Sequence, residues 1–565
     1  MLVAAAALLA ACTADGAPPQ DPPSSAPPED EPDPTGSYCD GSDEGTLHWA
    51  LDVAAPDGDA TGLIDDPTIA TWVHQGVLEG FYGATSTSER VPELLAADAE
   101  VTEGPDGTVT ITAELREGLT WSDGEPLTAE SILGTLELLR DGLELPVDPL
   151  GPAADASIHE LIDLDSWEAE GSRFSFTMER FHPGWHTVFD RILPVHVLPD
   201  VETAARALVE LEVGGTALPA SGPFVFQAWE PGQGLTLARN GDYHGANPDH
   251  PEVENPGTAC VADVEVLWVG GPRDALDALI EGEADLVHGH AAAGASGGAE
   301  PFTVEVVPGP RYETWSLDLD DRHLADPAVR EALAFAIDKP AAIGEVVRPV
   351  VGRGVSRGGL GATMLLPDHP AYEDLHAAEG YGAGDHDAAA LRLEAAGYGY
   401  NAEGAWEHPE RGPLELRIAS IGRAPFREAL LTRLVDDLNR NGWSITAGEV
   451  EGASIVQHVA FGVAGQGMPG GLGAAAGAGL SDVDGASADI EACGVVIDED
   501  ARVGCLQDVD RRLVTLGPGG DGLAVFPLTQ TPPLHAYTQV TVTTVSVATT
   551  DGPLAGGADL RLVPG

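Results

Sequence analysis

Lysine is all but missing. Lys339 is the only one among 565 residues, and every other basic side chain, histidine aside, is an arginine. Lys and Arg together number 27 against 92 Asp and Glu, a formal net charge of -65. A field of that sign repels nucleic acid and anionic lipid surfaces, which excludes DNA, RNA and electrostatic docking to a membrane as partners. The same excess fits either a high-salt habitat, where self-repulsion is screened, or drift in composition. Cysteine is scarce, and none of the five stands in a Cys-x-x-Cys arrangement of the kind that structural zinc sites use. Asp318, Asp320 and Asp321 do not follow the calcium-loop spacing and read as a solvated strand end. No metal or cofactor is expected.

What is present is 43% hydrophobic, enough in a chain of this length to bury large cores in more than one structural unit. The apolar run from Leu2 to Ala11 is too short to cross a bilayer, which takes about 20 residues, and suits a signal-peptide core. It ends Leu9-Ala10-Ala11-Cys12, which resembles the lipobox of bacterial lipoproteins, where the cysteine receives the lipid. No Lys or Arg precedes the run, which points to a start further upstream. Thr13 to Ser37 holds eight prolines among Asp, Glu and Ser, a composition that builds no core. Residues 1–12 therefore read as a lipoprotein signal peptide and 13–43 as a disordered tether. With Cys12 lipidated, four cysteines remain in an oxidising compartment. Cys493 and Cys505 are close in sequence and expected to pair, and Cys39 with Cys260 would be the second bridge.

Val109 to Arg140 reads as strand, turn and helix. Val109, Ile111, Ala113 and Leu115 alternate with polar residues, the period of a half-buried strand. Asp123-Gly124 marks a tight turn, Thr128 stands as a helix N-cap with Glu130 in the first turn, and Ile132, Leu133, Leu136 and Leu139 share a helical face. Leu115-Arg116-Glu117-Gly118 and Trp121-Ser122-Asp123-Gly124-Glu125-Pro126-Leu127-Thr128-Ala129 resemble the opening motif of extracellular solute-binding protein family 5, which includes the oligopeptide-, dipeptide- and nickel-binding receptors of ABC importers. Further blocks come in the family's order. They are Ile192-Leu193-Pro194-Val195-His196, Ser221-Gly222-Pro223-Phe224 with Arg239-Asn240-Gly241-Asp242-Tyr243, the helix ending Glu281-Gly282-Glu283-Ala284-Asp285, and the helix opened by Asp326-Pro327. The likeness spans about Thr46 to Gly442 and thins after Phe461. Peptide-binding members commonly carry a Trp-x-x-Asp-type segment in this later neighbourhood, whose aspartate pairs with the peptide's amino terminus. Residues 462–485 are rich in Gly and Ala, and Asp482 and Asp484 lack that pattern.

The resemblance implies an α/β, two-lobed periplasmic-binding-protein type II fold with an extra subdomain. Lobe one is expected over 44–265, with the subdomain at about 71–180, and lobe two over 266–505. Residues 506–565 return to lobe one, with Leu523–Leu528 and Thr538–Val547 as the returning strands. It implies a monomeric receptor, lipid-anchored on the outer face of the membrane, that captures peptides between its lobes and hands them to an ABC permease, with no bond made or broken. A nickel chelate or an oligosaccharide is the alternative solute. Trp315, as a flat wall, Asp318 near the cleft and Asp57 in the loop after the first strand are the candidate ligand contacts. A surface hydrolase is the distant alternative, since Ser296 and Ser356 sit in Gly-x-Ser-x-Gly sequences, but neither has the strand before and helix after that a nucleophile elbow needs. His288-Gly289-His290 offers two imidazoles, a poor metal site by itself.

Overall fold

The first strand, β1 (Thr46–Leu51), buries Leu47, Trp49 and Leu51, the alternation that its sequence predicts. The computed structural model describes residues 45–51, 73–84, 90–145, 158–230, 234–249, 257, 259–269, 272–288, 302–306, 311–351, 355–356, 358–367, 369–421, 426–461, 486–518, 522–531, 534–538, 542–544 and 561–562. Residues 41–565 form one unit, separate from 1–40, and all the strands and helices described belong to the former.

After β1 the chain builds an antiparallel sheet from β2 (Glu100–Glu103), β3 (Val109–Glu114), β4 (Ile162–Glu170) and β5 (Arg173–Met178), in the order β2-β3-β5-β4. Helix α1 (Ala129–Arg140) leaves β3 through the turn at Gly124, whose φ of 86° is open to glycine at no steric cost. The Thr128 amide donates to Ser131 Oγ (3.3 Å) and the Thr128 hydroxyl to Glu130 (2.6 Å), which holds the Glu130 carboxyl below its usual range. Ile132, Leu136 and Leu139 are buried as the helical spacing predicts, while Leu133 of the same expected face is half-buried and Leu138 is buried as well.

The chain then forms the hairpin β6 (Phe224–Glu230) and β7 (Gly234–Arg239), then β8 (Asp263–Trp268), helix α2 (Pro272–Glu281), β9 (Leu286–His288) and β10 (Phe302–Val306). Gly282, with φ 75°, ends α2. A second sheet starts at β11 (Arg311–Leu317). It is followed by α3 (Pro327–Ala336), β12 (Glu415–Ser420), α4 (Arg427–Arg440), β13 (Ser444–Ala447) and β14 (Ile455–Phe461). Asp326 caps α3 by accepting from the Ala328 amide. Helices α5 (Ala486–Gly494) and α6 (Glu499–Val514) precede β15 (Val525–Gln530), and β16 (Leu534–Thr538) rejoins the first sheet. The first sheet has the order β6-β7-β8-β1-β9-β16-β10, and the second β13-β12-β14-β11-β15.

Two buried clusters accompany these sheets. The first joins Leu47, Trp49, Val264 and Val266 to Val109, Ile111, Trp121 and Phe174, so the four-stranded sheet shares its core with the first large sheet. Phe81 stacks on Phe189 within it at 4.2 Å. The second cluster gathers Trp315, Val329, Leu333, Leu416, Leu430 and Phe526, and continues into Ala50, Ala275 and Leu279. The sole lysine serves the interior: Lys339 Nζ donates to the Leu360 carbonyl and lies 2.8 Å from His376 Nδ1, and burial lowers its pKa to about 7.

The sheets exchange the chain at places other than the expected boundaries. Strands β9 and β10, expected in lobe two, pair in the first sheet, and the changeovers fall between Val306 and Arg311 and between Gln530 and Leu534. The segment around Leu523–Leu528 pairs with β11 in the second sheet instead of returning to lobe one. Buried strands of both lobes carry the same apolar composition, so composition alone does not assign a strand to a lobe.

Candidate functional site

In open α/β sheets the crevice for a ligand lies outside the carboxyl ends of the parallel strands. In the first sheet β1, β8, β9 and β10 end at Leu51, Trp268, His288 and Val306. In the second sheet β12 and β14 end at Ser420 and Phe461, and on the edge with Phe461 β11 begins and β15 ends. Both changeovers therefore leave the carboxyl edge of one sheet for that of the other. Segments 52–72, 289–301, 422–425 and 462–485 follow strands that end at these edges and lie outside the described residues.

Just inside the second edge is a buried ion pair. Arg427, the first residue of α4, sends Nε to both oxygens of Glu313 (3.0 Å each) and Nη2 to Oε1 (2.8 Å). Gln457 Nε2 donates to Glu313 Oε2 (3.1 Å), and Gln457 Oε1 accepts from the Trp315 indole (2.9 Å). Burial raises the Glu313 pKa, while Arg427 and then Gln457 pull it back. Arg427 also donates to the Ile421 carbonyl. The guanidinium thus ties together the two ends of the segment that follows β12. Beside it Ser316 Oγ and His458 Nε2 are 2.8 Å apart, and burial lowers the pKa of His458. These contacts position the edge, and every group in them is enclosed.

A second charged cluster lies in lobe one. The Tyr243 hydroxyl donates to Glu79 Oε1 (2.7 Å) and His244 Nε2 lies 2.8 Å from Glu79 Oε2. Arg116 donates to the Gly245 and Ala246 carbonyls and stands 3.9 Å from Glu93. Burial, then the neighbouring Glu79, push the Glu93 carboxyl up to about 8, against the pull of Arg116. With its carboxyl raised to about 8, Glu93 keeps its proton at neutral pH. The Glu79 and Glu93 side chains are only 7% and 15% exposed, so the pair fastens the opening motif to the Tyr243 block and lacks the access that acid–base catalysis on a substrate requires. Likewise Asp123 of the motif meets His196 at 2.8 Å.

The sequence candidates separate. Trp315 is fully buried with its N–H satisfied, so it has no face to offer a solute as a wall, and its place is in the second core. Asp318 lies at the opposite end of β11 from the changeover, where it accepts from the Asp320 amide. Asp321 accepts from the His323 and Leu324 amides, so these acids shape a turn. Asp57, Cys12, Cys39, Ser296 and His290 lie outside the described residues. A disulfide joins Cys493 and Cys505, and Cys260 is buried and disulfide-bonded. Ser356 is exposed and follows a helix where a nucleophile elbow needs a strand. Among the described residues no group of three or more His, Cys, Asp or Glu could hold a metal ion. The Glu313–Arg427 pair escaped the sequence reading. Its partners are 114 residues apart, and the single hint is an acid between Tyr312 and Thr314 in a strand that also carries Trp315 and Leu317.

Comparison with known proteins agrees with this architecture. The probable monoacyl phosphatidylinositol tetramannoside-binding protein LpqW of Mycobacterium tuberculosis is 28% identical over 259 residues, 44% of this chain. That alignment spans 36% of the relative's own length. Among solved structures, the periplasmic EDTA-binding protein EppA matches with a TM-score of 0.69 at 20% identity, covering 93% of this chain and 97% of its own. The oligopeptide-binding protein AppA of Bacillus subtilis, solved with a nonapeptide, matches at 0.61 and 14% identity, covering 92% and 99%. Both share the two-lobed fold. The family described as bacterial extracellular solute-binding proteins, family 5 Middle, matches residues 91–458, and this chain belongs to it.

Proposed function

We propose that this protein is the peptide receptor of an ABC importer, lipid-anchored through Cys12 outside the cell membrane. Family 5 proteins bind solutes outside the cytoplasm for ABC permeases, and among the described residues no helix is long and apolar enough to cross a membrane. The observation that carries the reading is the pair of changeovers joining the carboxyl edges of two sheets. A solute held between those edges gains contacts only when the lobes close, so binding shifts the population towards the closed form. Peptides are the solute proposed, as in AppA, whose solved structure holds one. Pairing with the peptide backbone would supply the affinity and leave wet pockets for side chains.

The lack of a Trp-x-x-Asp segment within residues 462–485 favours a second reading, a non-peptide solute such as a metal chelate or an oligosaccharide. EppA, whose name records EDTA binding, shows that the same fold accepts a chelator. Native mass spectrometry of gently purified protein separates the two. Retained short peptides support the first, and a retained metal complex or sugar the second. Turnover of ester or peptide substrates that is lost in Ser296→Ala or Ser356→Ala would overturn both.

A further inference from the structure

We propose that Ile497 and Arg502 form a clamp on Phe181 that holds the lobes together, making them positioning residues for solute capture. The proposal rests on the receptor reading, because closure matters to function only if a solute is enclosed.

The loop between α5 and α6 is fastened more firmly than a surface connection requires. The disulfide between Cys493 and Cys505 closes it across 12 residues. Asp498 caps α6 by accepting from the Ala501 amide (2.9 Å). Arg502 Nη1 reaches back to the Val496 and Ile497 carbonyls (3.0 and 3.2 Å), and Arg512 pairs with Asp489 to join the two helices again. Held this way, the loop packs the half-buried Ile497 against the first core, which belongs to the other lobe. The Arg502 guanidinium carbon lies 6.0 Å from the centroid of the Phe181 ring, and both side chains are over nine-tenths buried.

Phe181 follows β5 in lobe one, whereas Ile497 and Arg502 belong to lobe two. The contact joins the lobes through residues remote in sequence from both changeovers, and a rotation of one lobe on the other would make or break it. A buried cation over an aromatic face is strengthened by the loss of water around it. Contacts present only in the closed form raise the fraction of competent receptor, and so the apparent affinity, without touching solute. The disulfide and the carbonyl bonds hold the loop in shape beforehand, so little freedom is lost when the clamp forms.

The test uses the full chain in three forms: Arg502→Ala, Phe181→Leu and the double variant. Small-angle scattering and hydrogen exchange are measured with no solute added. Each single variant should raise the radius of gyration, and the double variant should go no further than the larger single one. Arg502→Ala should also raise exchange in residues 179–189, across the gap, while β12 and β14 stay protected. Where a solute is retained, its dissociation constant should rise about tenfold, close to a cation–π contact at the upper end of its range. Cys493→Ser with Cys505→Ser should move all readouts the same way by less. Exchange that rises in 495–506 alone, with an unchanged radius, would make the contact local packing and overturn the clamp. A radius that rises as expected in a protein that retains no solute supports the clamp and counts against the receptor reading.

Discussion

Replacing Arg427 by alanine tests how the second carboxyl edge is held. The substitution removes three N–H···O contacts to Glu313 and the bond to Ile421, and leaves the fully enclosed carboxylate with Gln457 as its remaining described side-chain donor. Removing one partner of a buried pair costs about 3–5 kcal/mol, because the other charge stays in the interior. For a lobe of about 220 residues each kcal/mol lowers the melting temperature by about 2–4 °C, so the loss should be about 6–20 °C in differential scanning calorimetry. The sign with pH is fixed by Glu313. Its folded pKa is already raised by burial above the ordinary 4.5, and loss of the arginine raises it further. A raised carboxyl contributes stability that is fully present below the unfolded value and is lost as pH rises through the folded one. The deficit of Arg427→Ala should therefore be largest at neutral pH and shrink near pH 4.5. Glu313→Leu with Arg427→Met, which removes both charges, should recover most of the loss. A single variant within about 1 kcal/mol of wild type, or a deficit that grows in acid, would refute the reasoning.

Other outcomes rest on the same physics. Glu93, pushed up to about 8, should make stability fall by up to about 1.4 kcal/mol per pH unit between its unfolded and folded values. Thermal melts from pH 5 to 8 should show this fall, and Glu93→Gln should flatten it; a wild-type melting temperature that is constant or rises over that range speaks against a proton held on Glu93. Trp315→Phe should cost about 1–3 kcal/mol by leaving Gln457 Oε1 without its donor, with affinity for the retained solute unchanged. A tenfold loss of affinity at unchanged stability would instead put the ring at the solute. Raising NaCl from 0.1 to 1 M shortens the screening length from about 10 Å to 3 Å, so a chain of net charge -65 should melt higher. A melting temperature that falls with salt would show that attractive ion pairs outweigh the repulsion.

Most of the scaffold was legible because each signal was local. The alternation of Val109, Ile111 and Ala113, the cap at Asp326 and the glycine at 282 each fix a piece of backbone with residues a few positions apart. Sheet membership was not legible, since the partner that places β9 in the first sheet or β15 in the second is remote in sequence from either strand. The site was harder still. Trp315 reads from its neighbours more readily as core than as a wall, and its N–H goes to Gln457, 142 residues away, a partner no local signal announces. Asp318 reads as a cleft acid because it follows β11, yet β11 enters from the changeover, so its far end points away from the crevice edge.

The most recognisable residues are joints between segments. Arg116 of the opening motif binds the Gly245 and Ala246 carbonyls, Asp123 meets His196, Tyr243 binds Glu79, and the Ser122 hydroxyl accepts from the Ala220 amide. Each couples two segments that carry the family likeness or flank it. A joint of this kind must be built the same way whatever solute lies in the cleft, because its partners are other parts of the scaffold, and at the enclosed Glu79 cluster a change to one side strands a buried polar group on the other. Residues that choose the solute face the opposite demand. They have to differ between receptors of different solutes, which a side chain bonded into the scaffold cannot do without loss. A motif shared across receptors of different solutes therefore reports the frame, and solute specificity has to be sought where this chain departs from the pattern, in residues 462–485 above all.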